Sequence, residues 1–176
     1  RPLLYRNLGG GRFLDVSSLV GSSGLPEGSS YIAVMHDLNG DHRPDILLSQ
    51  EFGEEVLRNQ LYANRGPKEG ESWVELENVT EGAGIADPLA AMGAALFDFN
   101  VDGLPEIYMT NLQVDGGEVM LWNSGDLTFD NVVETYGVDG TAVDFDNEFY
   151  RTVSWGALAL DYDNDGDDDL YTAYGE

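Results

Sequence analysis

Three acidic stretches of nine residues punctuate this chain at nearly even intervals, and their charge restricts what the surrounding segments can form. They are Asp37-Leu-Asn39-Gly-Asp41-His-Arg43-Pro-Asp45, Asp98-Phe-Asn100-Val-Asp102-Gly-Leu104-Pro-Glu106 and Asp161-Tyr-Asp163-Asn-Asp165-Gly-Asp167-Asp-Asp169. Positions 1, 3, 5 and 9 of each supply carboxylate or amide oxygens, the donor type wanted by a hard cation with roughly six to eight oxygen ligands at about 2.3–2.6 Å. Ca2+ is the first candidate. Carboxylates held a few ångströms apart repel one another unless a cation neutralises them. Solubility alone therefore accounts poorly for their regular recurrence.

The stretches sit inside a longer repeat, with first aspartates 61 and 63 residues apart, enough for a unit of several strands. Before each lies a short apolar run (31–35, 92–97, 155–160) and after each another (46–48, 107–109, 170–172). Both are too short for helices, so the pair reads as a hairpin. Next comes an apolar-aromatic pair closed by Asn: Leu4-Tyr5-Arg-Asn7, Leu61-Tyr62-Ala-Asn64 and Met120-Leu-Trp122-Asn123. A run alternating at period two follows it (12–16, 73–79, 128–133), as a strand with one buried face does. Twenty-two glycines leave no room for a long amphipathic helix. The expected class is all-β, built of four-stranded antiparallel units arranged as β-propeller blades, about three blades' worth of a larger propeller or assembly. The divisions read as 1–25 half blade, 26–85 full blade, 86–138 full blade and 139–176 half blade.

Charge excludes several partners. The net charge is −25, and residues 69–176 hold twenty-five acids against the single base Arg151. Phosphate backbones and anionic membranes are repelled by such a surface. No apolar stretch is long enough to span a bilayer as a helix, and the start at Arg1 without Met suggests a processed or excised segment. The chain has no cysteine, which removes disulfides and thiolate metal sites but not secretion.

The loop pattern, with its Gly-Ala-rich preceding strand and the Leu-Tyr-x-Asn and Gly-Arg-Phe-x-Asp-Val segments that follow, resembles the FG-GAP/VCBS repeat of integrin-α-like β-propellers. Residues 155–171 and 4–16 are similar to the bacterial VCBS and cartilage-acidic-protein-like branch. The resemblance implies one Ca2+ per loop, about three in all. Side chains of Asp37, Asn39, Asp41 and Asp45 would hold the first with the Arg43 carbonyl. Asp98, Asn100, Asp102 and Glu106 would hold the second with the Leu104 carbonyl, and Asp161, Asp163, Asp165 and Asp169 the third with the Asp167 carbonyl. Gly103 and Gly166 suit a left-handed turn position. His42 stands there in the first loop, and Glu106 replaces Asp in the second. An EF-hand needs flanking helices and Glu at position 12, where Leu48, Met109 and Thr172 stand.

No catalytic constellation is recognisable. Both histidines, His36 and His42, lie in or beside the first loop, and no Gly-x-Ser-x-Gly is present. The expectation is an extracellular, secreted or cell-surface (or periplasmic) calcium-binding module with a structural, adhesion or interaction role. Its partners would be protein or glycan ligands, or copies of itself joined head to tail. A carbohydrate-active enzyme or carbohydrate-binding domain is the alternative. Asn78-Val-Thr80 is an N-glycosylation sequon, and residues 139–150 form an acidic, aromatic connection suited to a solvated loop or a partner contact.

Overall fold

The computed structural model of the chain describes residues 2–20, 30–50, 58–70, 73–85, 89–112, 117–140 and 153–175. Twelve strands occur among them: β1 (Tyr5–Gly9), β2 (Arg12–Asp15), β3 (Ser30–His36), β4 (Asp45–Gln50), β5 (Gln60–Pro67), β6 (Val74–Asn78), β7 (Ala91–Phe97), β8 (Glu106–Asn111), β9 (Val119–Asn123), β10 (Phe129–Asn131), β11 (Val153–Leu160) and β12 (Asp169–Gly175). Two complete four-stranded meanders, β3-β4-β5-β6 and β7-β8-β9-β10, are flanked by the two-stranded sheets β1-β2 and β11-β12. All pairings are antiparallel.

The second strand of each meander is buried at every position, which explains its continuous apolar run: both faces pack against a neighbouring sheet. Leu47, Leu61, Ile107, Met109 and Leu121 meet between the two meanders, joined by Leu38 from the first acidic loop. Burying each such side chain contributes about 1.5–3 kcal/mol. On the far side of the first meander, Ile46, Leu48, Tyr62 and Leu76 take Val20 and Leu4 from the β1–β2 end. On the far side of the second, Phe97, Tyr108 and Met120 take Ala157, Ala159 and Leu170 from β11–β12. The sheets thus follow one another in chain order. Each fourth strand ends in a single helical turn, Ser17–Leu19, Thr80–Gly82 and α1 (Val133–Tyr136), which the sequence did not announce.

The all-β class and the four-stranded units stand, but the propeller does not. The sheets are open, and none is closed or curled into a propeller blade. Period and strand count specify the local meander; closure depends on contacts between distant units, which a repeat pattern does not encode. The side chain of Asn78 is engaged, donating from Nδ2 to Gln60 Oε1 at 2.9 Å and accepting from the Thr80 N–H at 3.1 Å. Residues 141–150 of the acidic connection lie outside the described residues.

Candidate metal centre

Each acidic stretch forms the turn between the first two strands of its unit, β3–β4, β7–β8 and β11–β12. The same hydrogen bonds recur in all three. The residue at position 1 accepts from the N–H of position 5 on Oδ1, at 3.1, 3.0 and 3.1 Å for Asp37, Asp98 and Asp161. Its Oδ2 accepts from the N–H of position 6, at 2.7 Å from His42, 2.9 Å from Gly103 and 3.1 Å from Gly166. Oδ1 of position 5 accepts from the N–H of position 7, at 2.9, 2.8 and 3.1 Å from Arg43, Leu104 and Asp167. The position-3 side chain takes the position-5 N–H through Oδ1 at 3.1, 2.9 and 3.2 Å. Backbone amides thus fold the chain around the acids and hold their carboxylates in place.

Two residues of each loop take left-handed backbone. Position 6 has φ of 65° at His42, 90° at Gly103 and 102° at Gly166. His42 therefore adopts the conformation that glycine serves in the other loops, at some strain. Position 4 does the same, with φ of 76° at Gly40, 57° at Val101 and 61° at Asn164. A β-branched Val there is a genuine outlier, costing about 1–2 kcal/mol.

The three loops differ in how their acids converge. In the third, carboxylate oxygens of Asp161, Asp163 and Asp169 all lie within 4.8 Å of one another on an exposed surface. Asp165 donates its backbone N–H to Asp161 and Asp163 and Asp167 its own to Asp165, but the converging group is Asp161, Asp163 and Asp169. In the first, Asp41 Oδ2 is occupied by the Arg43 guanidinium at 2.6 Å and by Asn39 Nδ2 at 3.2 Å. In the second, Asn100 Nδ2 bridges Asp102 Oδ2 at 2.9 Å and Glu106 Oε1 at 3.5 Å.

Position 9 is the buried wall of the first two sites. Asp45 and Glu106 are both wholly buried. Asp45 Oδ2 accepts from the Leu38 N–H at 3.1 Å and Oδ1 from the Asn64 N–H at 2.9 Å. Burial raises its pKa against those two donors, with the charges of Asp41 and Asp37 adding to the rise. For Asp37 burial also pushes upward, yet four backbone N–H groups outweigh it and the carboxyl sits below its ordinary value. Glu106 is the extreme: burial pushes it up to about 7, backbone groups of Asn123 and Phe99 oppose the rise, and Asp102 and Asp98 reinforce it. Its Oε2 is buried without a hydrogen-bond partner. A carboxylate oxygen left so, beside two further acids, is the arrangement a cation completes.

The Asn that closes each third strand proves part of the site. Asn64 Nδ2 donates to the Pro44 carbonyl at 3.0 Å, and Asn123 Nδ2 to the Pro105 carbonyl at 3.1 Å and to the Leu38 carbonyl at 2.9 Å. Position 8 of the first and second loops is thereby clamped, and Asn123 also ties the second meander to the first. The recurrence of Asn at this place was the available signal.

These observations correct several expectations. The structure supports a small all-β domain with an acidic cluster able to hold a metal, not a calcium-stabilised propeller module and not a carbohydrate-active or carbohydrate-binding one. Nothing in it singles out calcium, secretion, an extracellular place or cell adhesion. Among the described residues there is no catalytic constellation: the one group of three converging carboxylates consists of aspartates alone, and the sequence has no cysteine. No helix among the described residues is long and apolar enough to cross a membrane. No curated protein matches the chain. The pattern of the FG-GAP-like repeat matches residues 37–109, a span holding the first and second acidic loops and the strands between them, so this part of the chain is similar to an FG-GAP-like repeat.

Proposed function

We propose that the chain is a non-catalytic all-β domain whose three acidic turns each hold a hard divalent cation that orders the hairpin around it. The observation that carries this is Glu106 Oε2, buried and unpartnered in a turn whose neighbours are Asp98, Asn100 and Asp102. The proposed ligands are the side chains of Asp37, Asn39, Asp41 and Asp45 with the Arg43 carbonyl; of Asp98, Asn100, Asp102 and Glu106 with the Leu104 carbonyl; and of Asp161, Asp163, Asp165 and Asp169 with the Asp167 carbonyl. The shared hydrogen-bond pattern supports treating the three alike. The Arg43–Asp41 ion pair, at 2.6 Å, places a competing cation in the first and makes it the weakest.

Ca2+ is the proposed ion within this class, because a turn offering several oxygens suits its flexible coordination better than the strict octahedron of Mg2+. Residues 26–85 and 86–138 are the proposed whole units and 1–25 and 139–176 the partial ones. The likeness of residues 155–171 and 4–16 to the VCBS branch is part of the same proposal. So is the partner class, a protein ligand or a second copy of the chain.

Thermal melting with and without chelator tests the cation. Saturation at a hundredfold over Kd stabilises by about 2.7 kcal/mol per site, and a chain of this size gains about 2–4 °C per kcal/mol. One filled loop is then worth about 5–10 °C, and Ca2+ raises the melting temperature more than Mg2+ does. A melt that chelator and Ca2+ leave unchanged rejects the proposal.

A further inference from the structure

The first and second acidic turns meet at one residue, Asn123 of β9. Its backbone N–H donates to the Glu106 carboxylate, as the Asn64 N–H does to Asp45. Its Nδ2 donates to the Pro105 carbonyl, beside Glu106, at 3.1 Å and to the Leu38 carbonyl of the first loop at 2.9 Å. Its Oδ1 accepts from the Gly125 N–H at 3.1 Å, which fixes the orientation of the amide. Leu38 in turn donates its own N–H to Asp45 Oδ2 at 3.1 Å. The two position-9 acids, Glu106 and Asp45, are therefore joined by hydrogen bonds through Asn123 and Leu38, and all four residues are buried.

Packing runs along the same line. The Leu38 side chain lies in the core between the meanders with Leu61, Ile107 and Leu121. A Cβ built on Gly40, position 4 of the first loop, would stand 3.6 Å from Leu104 Cδ2, so position 7 of the second loop lies against the first. Asn64, the equivalent residue of the first meander, donates from Nδ2 to Pro44 of its own unit. The bond to the neighbouring unit distinguishes Asn123.

We propose that Asn123 couples the two sites, so that a cation in the second loop raises the affinity of the first. This inference rests on the cation reading above. A cation beside Glu106 supplies the partner that Oε2 lacks and fixes the carboxylate, and the Asn123 amide and the Leu38 carbonyl are held with it. Leu38 and Asp45 are then ordered before an ion reaches the first loop, so binding there costs less ordering. Charge opposes the effect weakly. The second loop holds three acids against the two positive charges of a divalent ion, so it stays negative when filled, and solvent-exposed charges more than about 8–10 Å apart are largely screened. The first loop, where Arg43 competes for Asp41 at 2.6 Å, is the weaker of the two and fills after the second.

Titration with Ca2+, followed by NMR at the backbone amides of His42, Gly103 and Gly166, reads the loops separately, because each amide is bonded to the position-1 carboxylate of its own loop. Asp98→Asn, which disables the second loop, is expected to raise the Kd of the first by about fivefold or more. Asp37→Asn is expected to leave the second loop, which fills first, unchanged, and Asp161→Asn to alter neither. In an Asn123→Ala chain, adding Asp98→Asn is expected to have no further effect on the first loop.

Hydrogen exchange gives a second reading that needs no ion in the first loop and no change at Asn123. In the Asp37→Asn chain, Ca2+ is expected to slow exchange of the Leu38 amide more than that of the Val79 amide, which is bonded to Leu61 in the same meander. A first-loop Kd that ignores Asp98→Asn overturns the inference, as does equal slowing of the Leu38 and Val79 amides. So does a folded Asn123→Ala chain in which Asp98→Asn still weakens the first loop. Independent loops that still bind Ca2+ reject the coupling alone, whereas amides that respond to Ca2+ in no loop reject the cation reading with it.

Discussion

Glu106→Gln is expected to stabilise the cation-free chain at pH 7.5 and to destabilise it, relative to the unmodified chain, when divalent cation is saturating. The reversal follows from the burial of this side chain. A carboxyl whose pKa rises from 4.5 when unfolded to about 7 when folded contributes stability that is fully present below pH 4.5. That contribution is lost as pH climbs through 7. The difference corresponds to about 3 kcal/mol, so cation-free protein should melt at its highest temperature near pH 5 and lower at pH 7.5. Asp45, also raised by burial, acts in the same direction. Asp37, held below its ordinary 3.8, acts in the opposite direction but in a more acidic window. The neutral amide removes the ionisation cost and flattens the profile. It also surrenders the charge that would draw a cation into the second loop. Denaturant melts of both chains at pH 5 and 7.5, with chelator and with Ca2+, check this. A substitution that is neutral in all four conditions contradicts the assignment of Glu106 to a cation site.

Gly93→Ala is expected to cost about 3 kcal/mol or more, lowering the melting temperature by about 6–12 °C. Gly93 lies in β7 against β11, and a methyl group there would sit 2.5 Å from the Trp155 carbonyl oxygen and 2.9 Å from the Ala157 nitrogen. These are backbone atoms of β11, which hydrogen bonds from β8, the strand beside β7, hold in place. Thr110 Oγ1 donates to the Trp155 carbonyl at 3.0 Å, and Ser154 Oγ takes the Asn111 N–H at 2.8 Å while donating to the Asn111 carbonyl at 3.1 Å. Relief therefore requires β11 to move as a unit, carrying the third acidic turn with it. Gly156→Ala, with open space around its Cβ, is the matched control and should stay within about 0.5 kcal/mol. Hydrogen exchange should show the loss concentrated in β11 and β12; equal stability of the two variants would mean that the sheets are not so closely packed.

Much of this could be read in advance where the cause is local. Alternation of apolar residues located β6, and continuous apolar runs located β4 and β8, because pleat and burial act within a strand. The spacing of acids located the turns, because their hydrogen bonds run between residues two to five apart. Positive φ at position 6 was readable from Gly103 and Gly166, and His42 conforms because the amides converging on Asp37 dictate its backbone. Position 4 was not readable: Val101 disfavours the conformation it adopts, and the loop overrides the residue. Nor was the burial of Glu106 readable, since it is set by the packing of neighbouring strands and not by the loop's own residues. The arrangement of units as propeller blades was read from the repeat and is wrong, because nothing within a single unit states how distant sheets meet.

Equilibrium dialysis against Ca2+, with bound ion counted per chain, tests the account most directly when run on three variants. Asp37→Asn, Asp98→Asn and Asp161→Asn each remove the residue that organises one loop, at position 1. About three ions are expected on the unmodified chain and about one fewer on each variant, the first loop releasing its ion at the highest free Ca2+. An unmodified chain that binds none at millimolar Ca2+, or variants that all retain the full complement, would contradict it.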